Sequence, residues 1–248
     1  MNDNVRVNDR HGVRHVHMHR PDKKNALSTR MYTAMARALT EAETAQSIGA
    51  VLVSAEGSIF TAGNDLHDFL ENPPCLDSPV FAFLEALARS SVPIVAAVPG
   101  PAIGIGTTML LHFEITYASP DARFSLPFVD LGLVCEAGSS LLLPRKIGPA
   151  RAARMLLLGE SLDAQEALDS GLVTAIVPAD ELLERAHDAA QRIAARPRAA
   201  VRETKRLLRG DTDALLCVMR REAQVVMERL SDPETRERML AVLERRRI

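Results

Sequence analysis

Three groups of residues have types and spacings that could do chemistry. His15, His17 and His19 alternate with Val16 and Met18. On a β-strand, alternate side chains share a face, so the three imidazoles could hold a transition metal if that face lined a cavity. No carboxylate or cysteine converges with the trio in the sequence. A half-exposed strand with polar outward positions is therefore the better reading, and no metal site is expected. The second group is a pair of glycine-bearing turns, Phe60-Thr61-Ala62-Gly63-Asn64-Asp65-Leu66 and Pro99-Gly100-Pro101-Ala102-Ile103-Gly104-Ile105-Gly106-Thr107-Thr108. Small residues there let backbone N–H groups face a ligand, and the second turn opens a helix whose free N–H groups suit an anion. Its glycines, at 100, 104 and 106, do not make a G-x-G-x-x-G fingerprint, and no Lys-Ser or Lys-Thr follows, so nucleotide binding is not expected. The third is Glu136, a carboxylate in the apolar stretch Leu131 to Leu143. It is either a first-turn acid favoured by a helix dipole or a general base whose pKa apolar surroundings raise toward neutrality.

The elements that must position these groups alternate. Val5 to Met18 reads as a hairpin around Asn8 to Gly12, with two β-leaning runs flanking a turn-rich centre. Ser28 is placed to cap a helix carrying Met31, Met35, Ala38 and Ala42 at helical spacing, and Ile48 to Val53 follows as a short apolar strand. A helix over Pro79 to Arg89, a buried strand over Ile94 to Val98, a short helix over Thr107 to His112 and a strand over Glu114 to Ala118 continue the alternation. That pattern predicts an α/β fold with parallel strands. Asp163 and Glu166 make a capping box, and Val173 to Val177 is one more strand. The division falls near Asp180: residues 1–179 form the core and 180–248 a helical C-terminal region. Its helices are predicted over Asp180 to Ala195, Pro197 to Leu208, Thr212 to Leu230 and Pro233 to Arg246. Arg245, Arg246 and Arg247 suit the C-terminal end of the last helix dipole.

Composition removes several function classes. Against 32 Asp and Glu stand 30 Lys and Arg in 248 residues, a net charge of −2, which argues against nucleic-acid binding through a positive field. No apolar run reaches the roughly 18 residues that a bilayer requires. Met1 to Asn8 carries neither a secretory nor a transit pattern, so a cytoplasmic location is expected. Cys75, Cys135 and Cys217 are far apart and read as reduced thiols in a core.

Taken together, these segments resemble the crotonase family, the enoyl-CoA hydratase and isomerase superfamily. The likeness spans nearly the whole chain. It begins with Arg20-Pro21-Asp22-Lys23-Lys24-Asn25-Ala26-Leu27, runs through both glycine-bearing turns, and includes Ser161 to Leu168 with Gly171-Leu172-Val173. It implies a spiral of stacked β-β-α units with a helical C-terminal region, and assembly as a homotrimer or a dimer of trimers. It also implies an acyl-CoA thioester substrate whose thioester oxygen is bound by the backbone N–H groups of Asn64 and Ile105. Ala26 and Ala62 would lie along coenzyme A, Lys23 or Lys24 would reach its phosphates, and Asp65 and Phe128 count among the substrate-binding positions. No cofactor is needed, because coenzyme A is part of the substrate.

Departures from the family pattern bear on the reaction. Typical hydratases carry two glutamates at places that look like Thr108 and Phe128 here, and neither residue can transfer a proton at neutral pH. The segment Asp130 to Ser140, with Leu143 to Gly148 after it, looks like the peroxisomal-type Δ3,Δ2-enoyl-CoA isomerases, whose single catalytic glutamate falls at Glu136. The resemblance thus implies a shift of a double bond from C3 to C2 by one base, with Phe128 helping to exclude water. The alternatives are a hydratase that positions water differently, another crotonase-type reaction such as isomerisation of a ring-derived thioester, and a non-catalytic CoA-thioester binding protein.

Overall fold

In the computed structural model, residues 4–245 are described. Their strands are β1 (Val5–Arg10), β2 (Val13–Met18), β3 (Ala50–Ala55), β4 (Ile94–Val98), β5 (Ala102–Ile103), β6 (Ile115–Ala118), β7 (Arg123–Ser125), β8 (Leu162–Asp163) and β9 (Ala175–Ile176). A larger sheet has the order β1-β2-β3-β4-β6-β9; only its β1–β2 pair is antiparallel. A smaller sheet has the order β5-β7-β8. The hairpin joining β1 and β2 turns on His11 and Gly12 alone, both at positive φ (51° and 79°), which matches the right-handed strand twist. Asn8 to Arg10, expected in the turn, instead belong to β1.

The apolar runs of β3 and β4 are explained by helices on both faces of the larger sheet. Val51, Val53, Ile94, Ala96 and Val98 join the main core. The residues between them, Ala50, Leu52, Val95 and Ala97, pack with Leu182, Ala186 and Ala190 of the Leu182–Ala194 helix. A strand covered on both faces has no solvent side, so it reads as continuous rather than alternating hydrophobicity. On the main-core face, the Thr29–Thr44 helix buries Met31, Tyr32, Met35, Ala38, Leu39 and Ala42, and its Tyr32 ring lies 5.6 Å from Phe83 of the Pro79–Arg89 helix. Ser28 holds the N-cap position but its hydroxyl makes no cap bond. Asp68 accepts hydrogen bonds from the Thr29 N–H and hydroxyl instead.

Several elements differ from the sequence reading. The helix expected from Thr107 begins at Ile105 and becomes a 3-10 turn over Met109–His112. The β9 strand is two residues long, because only Ala175 and Ile176 pair with β6. Helices Leu66–Glu71 and Pro149–Leu158 have no counterpart in the sequence reading, and the helix that one reading of Glu136 supposes begins at Ser139, beyond that residue. The Asp163–Glu166 capping box forms as expected. All three cysteines are free thiols; Cys135 is partly buried against the main core, whereas Cys75 and Cys217 are exposed, which corrects the expected core placement for those two. Arg246 and Arg247 lie outside the described residues. Among the described residues, no helix is long and apolar enough to cross a membrane.

Asn25 knots the first loops to the sheet. It is 1 % exposed. Its side-chain amide donates to the carbonyls of Glu56 and Ile59, both at 2.8 Å, while its Oδ1 accepts from the Arg20 N–H and its own carbonyl accepts from the Thr61 hydroxyl. Removing it would leave enclosed carbonyls unpaired. Asn25→Ala is expected to destabilise the protein by about 2–3 kcal/mol, seen as a lower urea midpoint at unchanged slope.

Candidate active site

Backbone pairing brings the two glycine-bearing turns together. The N–H groups of Phe60 and Thr61 donate to the Pro101 carbonyl at 3.1 and 3.2 Å, and the Ile103 N–H donates to the Thr61 carbonyl at 3.0 Å. Gly63 sits at φ +85°, and a Cβ there would fall 2.9 Å from the Ile103 carbonyl oxygen, so a side chain would force the turns apart. The Gly63 N–H is held by the Thr61 hydroxyl and the Asp65 N–H by the Leu27 carbonyl. The Asn64 N–H between them has no partner among the described residues. Likewise, the Gly104 N–H bonds to the Ser125 carbonyl, while the Ile105 N–H, first in its helix, has no partner among the described residues. The Ile105 side chain is buried in the core. Two unpartnered N–H groups on adjacent turns are what an oxyanion site requires.

Glu136 is presented by a strained loop. Ala137 (φ 60°) and Gly138 (φ 74°) are consecutive left-handed residues just before the Ser139–Ile147 helix. For Ala137 that conformation costs roughly 1–2 kcal/mol, and surrounding contacts must impose it. The Ser139 hydroxyl and N–H both donate to the Glu136 carbonyl, and His112 Nε2 donates to the Ala137 carbonyl at 2.8 Å. That bond assigns the proton of His112 to Nε2. Burial pushes the imidazole pKa down to about 4, keeping the ring neutral. The helix N-terminus is capped by Glu222, whose carboxylate accepts from the Gly138 N–H at 2.6 Å, the Ser140 N–H at 2.9 Å and the Ser140 hydroxyl. The reading of Glu136 as a first-turn acid is thereby corrected. It precedes the N-cap, and Glu222 does that work.

The Glu136 carboxyl turns to Thr108, whose hydroxyl donates to Oε1. The residue as a whole is only partly buried. Its carboxyl group is nevertheless enclosed, and that enclosure governs its titration. Burial pushes the pKa up to about 8; the Thr108 hydrogen bond opposes the rise and the Glu222 charge adds to it. Glu222 is also raised, by burial, despite its three donors.

Glu136 and Asn64 line one cavity together with apolar side chains. Phe69, Val80, Phe81 and Leu84 come from the two helices after the first turn, and Ala223, Val226 and Met227 from the Thr212–Leu230 helix. Among the described residues, Glu136 is the one carboxylate in that lining. Tyr32 is buried behind Asn64 and donates its hydroxyl to Asn64 Oδ1. Burial raises the pKa of the phenol well above its ordinary value, with the Glu136 charge adding to the rise.

The remaining sequence-derived positions divide. Ala26 and Ala62 are adjacent, since the Ala62 N–H bonds to the Lys24 carbonyl at 2.9 Å and the Ala26 N–H to that of Lys23 at 3.0 Å; both lysines are exposed. Asp65 is committed elsewhere: it pairs with Arg20 at 2.7 Å and caps the Leu66–Glu71 helix. Burial alone would raise its pKa, but the Arg20 hydrogen bond and the cap N–H groups hold it below the usual carboxylate range. Phe128 packs near Gly104, where an added Cβ would meet its ring at 3.9 Å, and it is absent from the cavity lining. Sequence reasoning missed Glu222, Tyr32 and His112. Glu222 had a legible signal: with Leu215, Met219 and Val226 it occupies the buried stripe of its helix, where an acid needs a partner.

The sequence pattern of the enoyl-CoA hydratase/isomerase family matches residues 8–248. The chain belongs to that family. It is 35 % identical to the human "Enoyl-CoA delta isomerase 2" over 236 residues, 91 % of this chain and 60 % of the relative. The chain therefore spans about three fifths of that relative's length. A "Probable enoyl-CoA hydratase" of Mycobacterium leprae is 32 % identical over 86 % of this chain and 84 % of its own. The crystal structure of an enoyl-CoA hydratase/isomerase from Pseudoalteromonas atlantica superposes with a TM-score of 0.93 at 41 % identity, covering 98 % of each chain. The chain thus has the crotonase fold of the hydratase/isomerase family.

The raised pKa of Glu136 has a consequence for this family member's stability. From about pH 4.5 to about pH 8 the folded carboxyl keeps a proton that the unfolded chain has released, so this group's contribution falls as pH rises through that window and is flat above it. Chemical denaturation across pH 5–9 is expected to show Glu136→Gln gaining stability relative to wild type up to about pH 8 and no further. In Glu222→Gln, carbon NMR of the Glu136 carboxyl is expected to report titration below the wild-type value of about 8.

Proposed function

We propose that this enzyme moves a double bond from C3 to C2 of an enoyl-CoA thioester by single-base proton transfer. The observation that carries the reading is the cavity lining, in which Glu136 is the one carboxylate among the described residues and most of the other side chains are apolar, Asn64 and Ser78 excepted. Similarity to proteins named enoyl-CoA delta isomerases supports it.

A C2 proton of a 3-enoyl thioester is acidic because its loss gives a dienolate. Glu136 takes that proton, the electron pair spreads over C2 to C4 and the thioester oxygen, and the same carboxyl returns the proton to C4. Charge growing on the oxygen is met by the Asn64 and Ile105 N–H groups; one such donor is worth roughly 2.7–4 kcal/mol in other enzymes. Thr108 occupies Oε1 of Glu136, which leaves Oε2 for the substrate. A hydratase must both activate water and protonate carbon, normally with two acids. Here Thr108 and Phe128 stand at the places that resemble the hydratase glutamates, and apolar walls disfavour water. Ala26 and Ala62 would lie along coenzyme A with Lys23 or Lys24 near its phosphates, and the reaction needs no metal or other cofactor. The exposed leucines Leu157, Leu158, Leu207 and Leu208 would be covered in a homotrimer or a dimer of trimers.

Assayed separately with 3-enoyl-CoA and 2-enoyl-CoA, the enzyme is expected to convert the first and hydrate the second poorly. Efficient hydration without isomerisation would overturn the proposal. Glu136→Gln is expected to lower turnover of 3-enoyl-CoA by about 10²–10⁴-fold, the usual share of a general base. Because the base form is required and its pKa lies at about 8, kcat/KM should rise about tenfold per pH unit below pH 8 and level off above it.

A further inference from the structure

The histidine strand gains in the folded chain the carboxylate that the sequence around it lacks. Glu56 follows β3, which lies beside β2 in parallel register, with His17 opposite Ser54 and Met18 opposite Ala55. The Glu56 N–H bonds to the Met18 carbonyl at 2.8 Å, which fixes it beside His17 and His19. Its Oε2 lies 3.2 Å from His17 Nε2 and 3.4 Å from His19 Nδ1, and all three ligand atoms lie within 4.8 Å of one another. The reason for setting a metal aside therefore does not hold: the missing carboxylate comes from 37 residues downstream of His19.

We propose that His17, His19 and Glu56 form a binding site for one divalent transition-metal ion of the zinc type. Three observations carry this. The first is spacing: zinc held tetrahedrally by nitrogen and oxygen at about 2.0–2.1 Å separates its ligands by about 3.3–3.4 Å, the separation seen at both edges that meet at Glu56. The second is an orphan. His19 Nδ1 is enclosed and has no hydrogen-bond partner among the described residues, and such an atom ordinarily has one. The third is the outer layer expected of a metal-binding imidazole. His17 Nδ1 lies 2.7 Å from the Ser54 hydroxyl, which lies 2.7 Å from His15 Nε2. In the structure His17 Nε2 donates to Glu56 Oε2 at 3.2 Å; a bound ion would replace that bond, with the His17 proton then on Nδ1 and donated to Ser54, and the Ser54 proton donated to His15.

The donor set defines the ion. Two imidazoles and one carboxylate favour zinc, cobalt, nickel or copper over calcium and magnesium, which prefer all-oxygen shells. The ligands are partly exposed, so water completes the coordination. The site shares no residue with the lining of the Glu136 cavity but is tied to the glycine-bearing turns, because the Glu56 carbonyl accepts from Asn25, whose own carbonyl accepts from Thr61. A bound ion would clamp the end of β2 to the loop after β3.

The test uses the full-length protein stripped with a chelator and titrated with Co²⁺, followed by displacement with Zn²⁺. The expected result is one Co²⁺ per chain, visible d–d absorption of four- or five-coordinate cobalt, no thiolate charge-transfer band, and a higher Tm with zinc. Glu56→Gln, His17→Ala and His19→Ala should each weaken binding by more than tenfold, and Ser54→Ala by about tenfold or more, with far-UV circular dichroism unchanged. Glu56→Gln, nearly isosteric, keeps the test valid if a histidine variant misfolds. Absence of stoichiometric binding at micromolar metal would overturn the proposal. So would a thiolate band pointing to Cys75 or Cys217, or an affinity that Glu56→Gln leaves unchanged.

Discussion

The candidate active site depends on Glu222 taking the N-terminal N–H groups of the Ser139–Ile147 helix. Helix starts leave N–H groups unpaired, and a carboxylate is the strongest common partner for them. Had Glu136 filled that role from its own loop, its carboxyl would face the helix rather than the cavity. Because Glu222 reaches in from the Thr212–Leu230 helix, Glu136 is left to turn toward Thr108. The C-terminal helical region thus does more than cover the core. It supplies the acid that holds the Glu136 loop and the largely apolar wall of the cavity beside it.

Two carboxylates in one enclosed region divide their duties by hydrogen bonding. Glu222 has three donors, whereas Glu136 has the Thr108 hydroxyl. Few donors, burial and a neighbouring negative charge all disfavour ionisation, so Glu136 holds its proton to near-neutral pH and is basic once it loses it. The left-handed Ala137 is part of the same arrangement. His112 holds its carbonyl on one side and Glu222 the next N–H on the other, which maintains a backbone conformation that alanine does not choose by itself.

The two glycine-bearing turns rest on a different device, in which parallel pairing of Thr61 with Ala102 aligns two loops more than forty residues apart in sequence. Gly63 lets them approach, and Asn25 ties the first of them to the strand above. On the far side of that same tie stands the His17, His19 and Glu56 cluster, so one short loop connects two sites of unlike chemistry.

Much of this was written locally. Helix periodicity, the buried runs of β3 and β4, the Asp163–Glu166 capping box and the two glycine-bearing turns depend on residues close in sequence, so their types and spacing revealed them. Glu136 stood out for the same reason, as a charge amid apolar neighbours. What tertiary structure alone decided are the long-range encounters. Glu222 meets Gly138 and Ser140 across 82 to 84 residues, Thr108 meets Glu136 across 28, and Glu56 meets His17 across 39. No local pattern encodes such meetings, because strand register and helix packing set them, and those are fixed only when the whole apolar core closes.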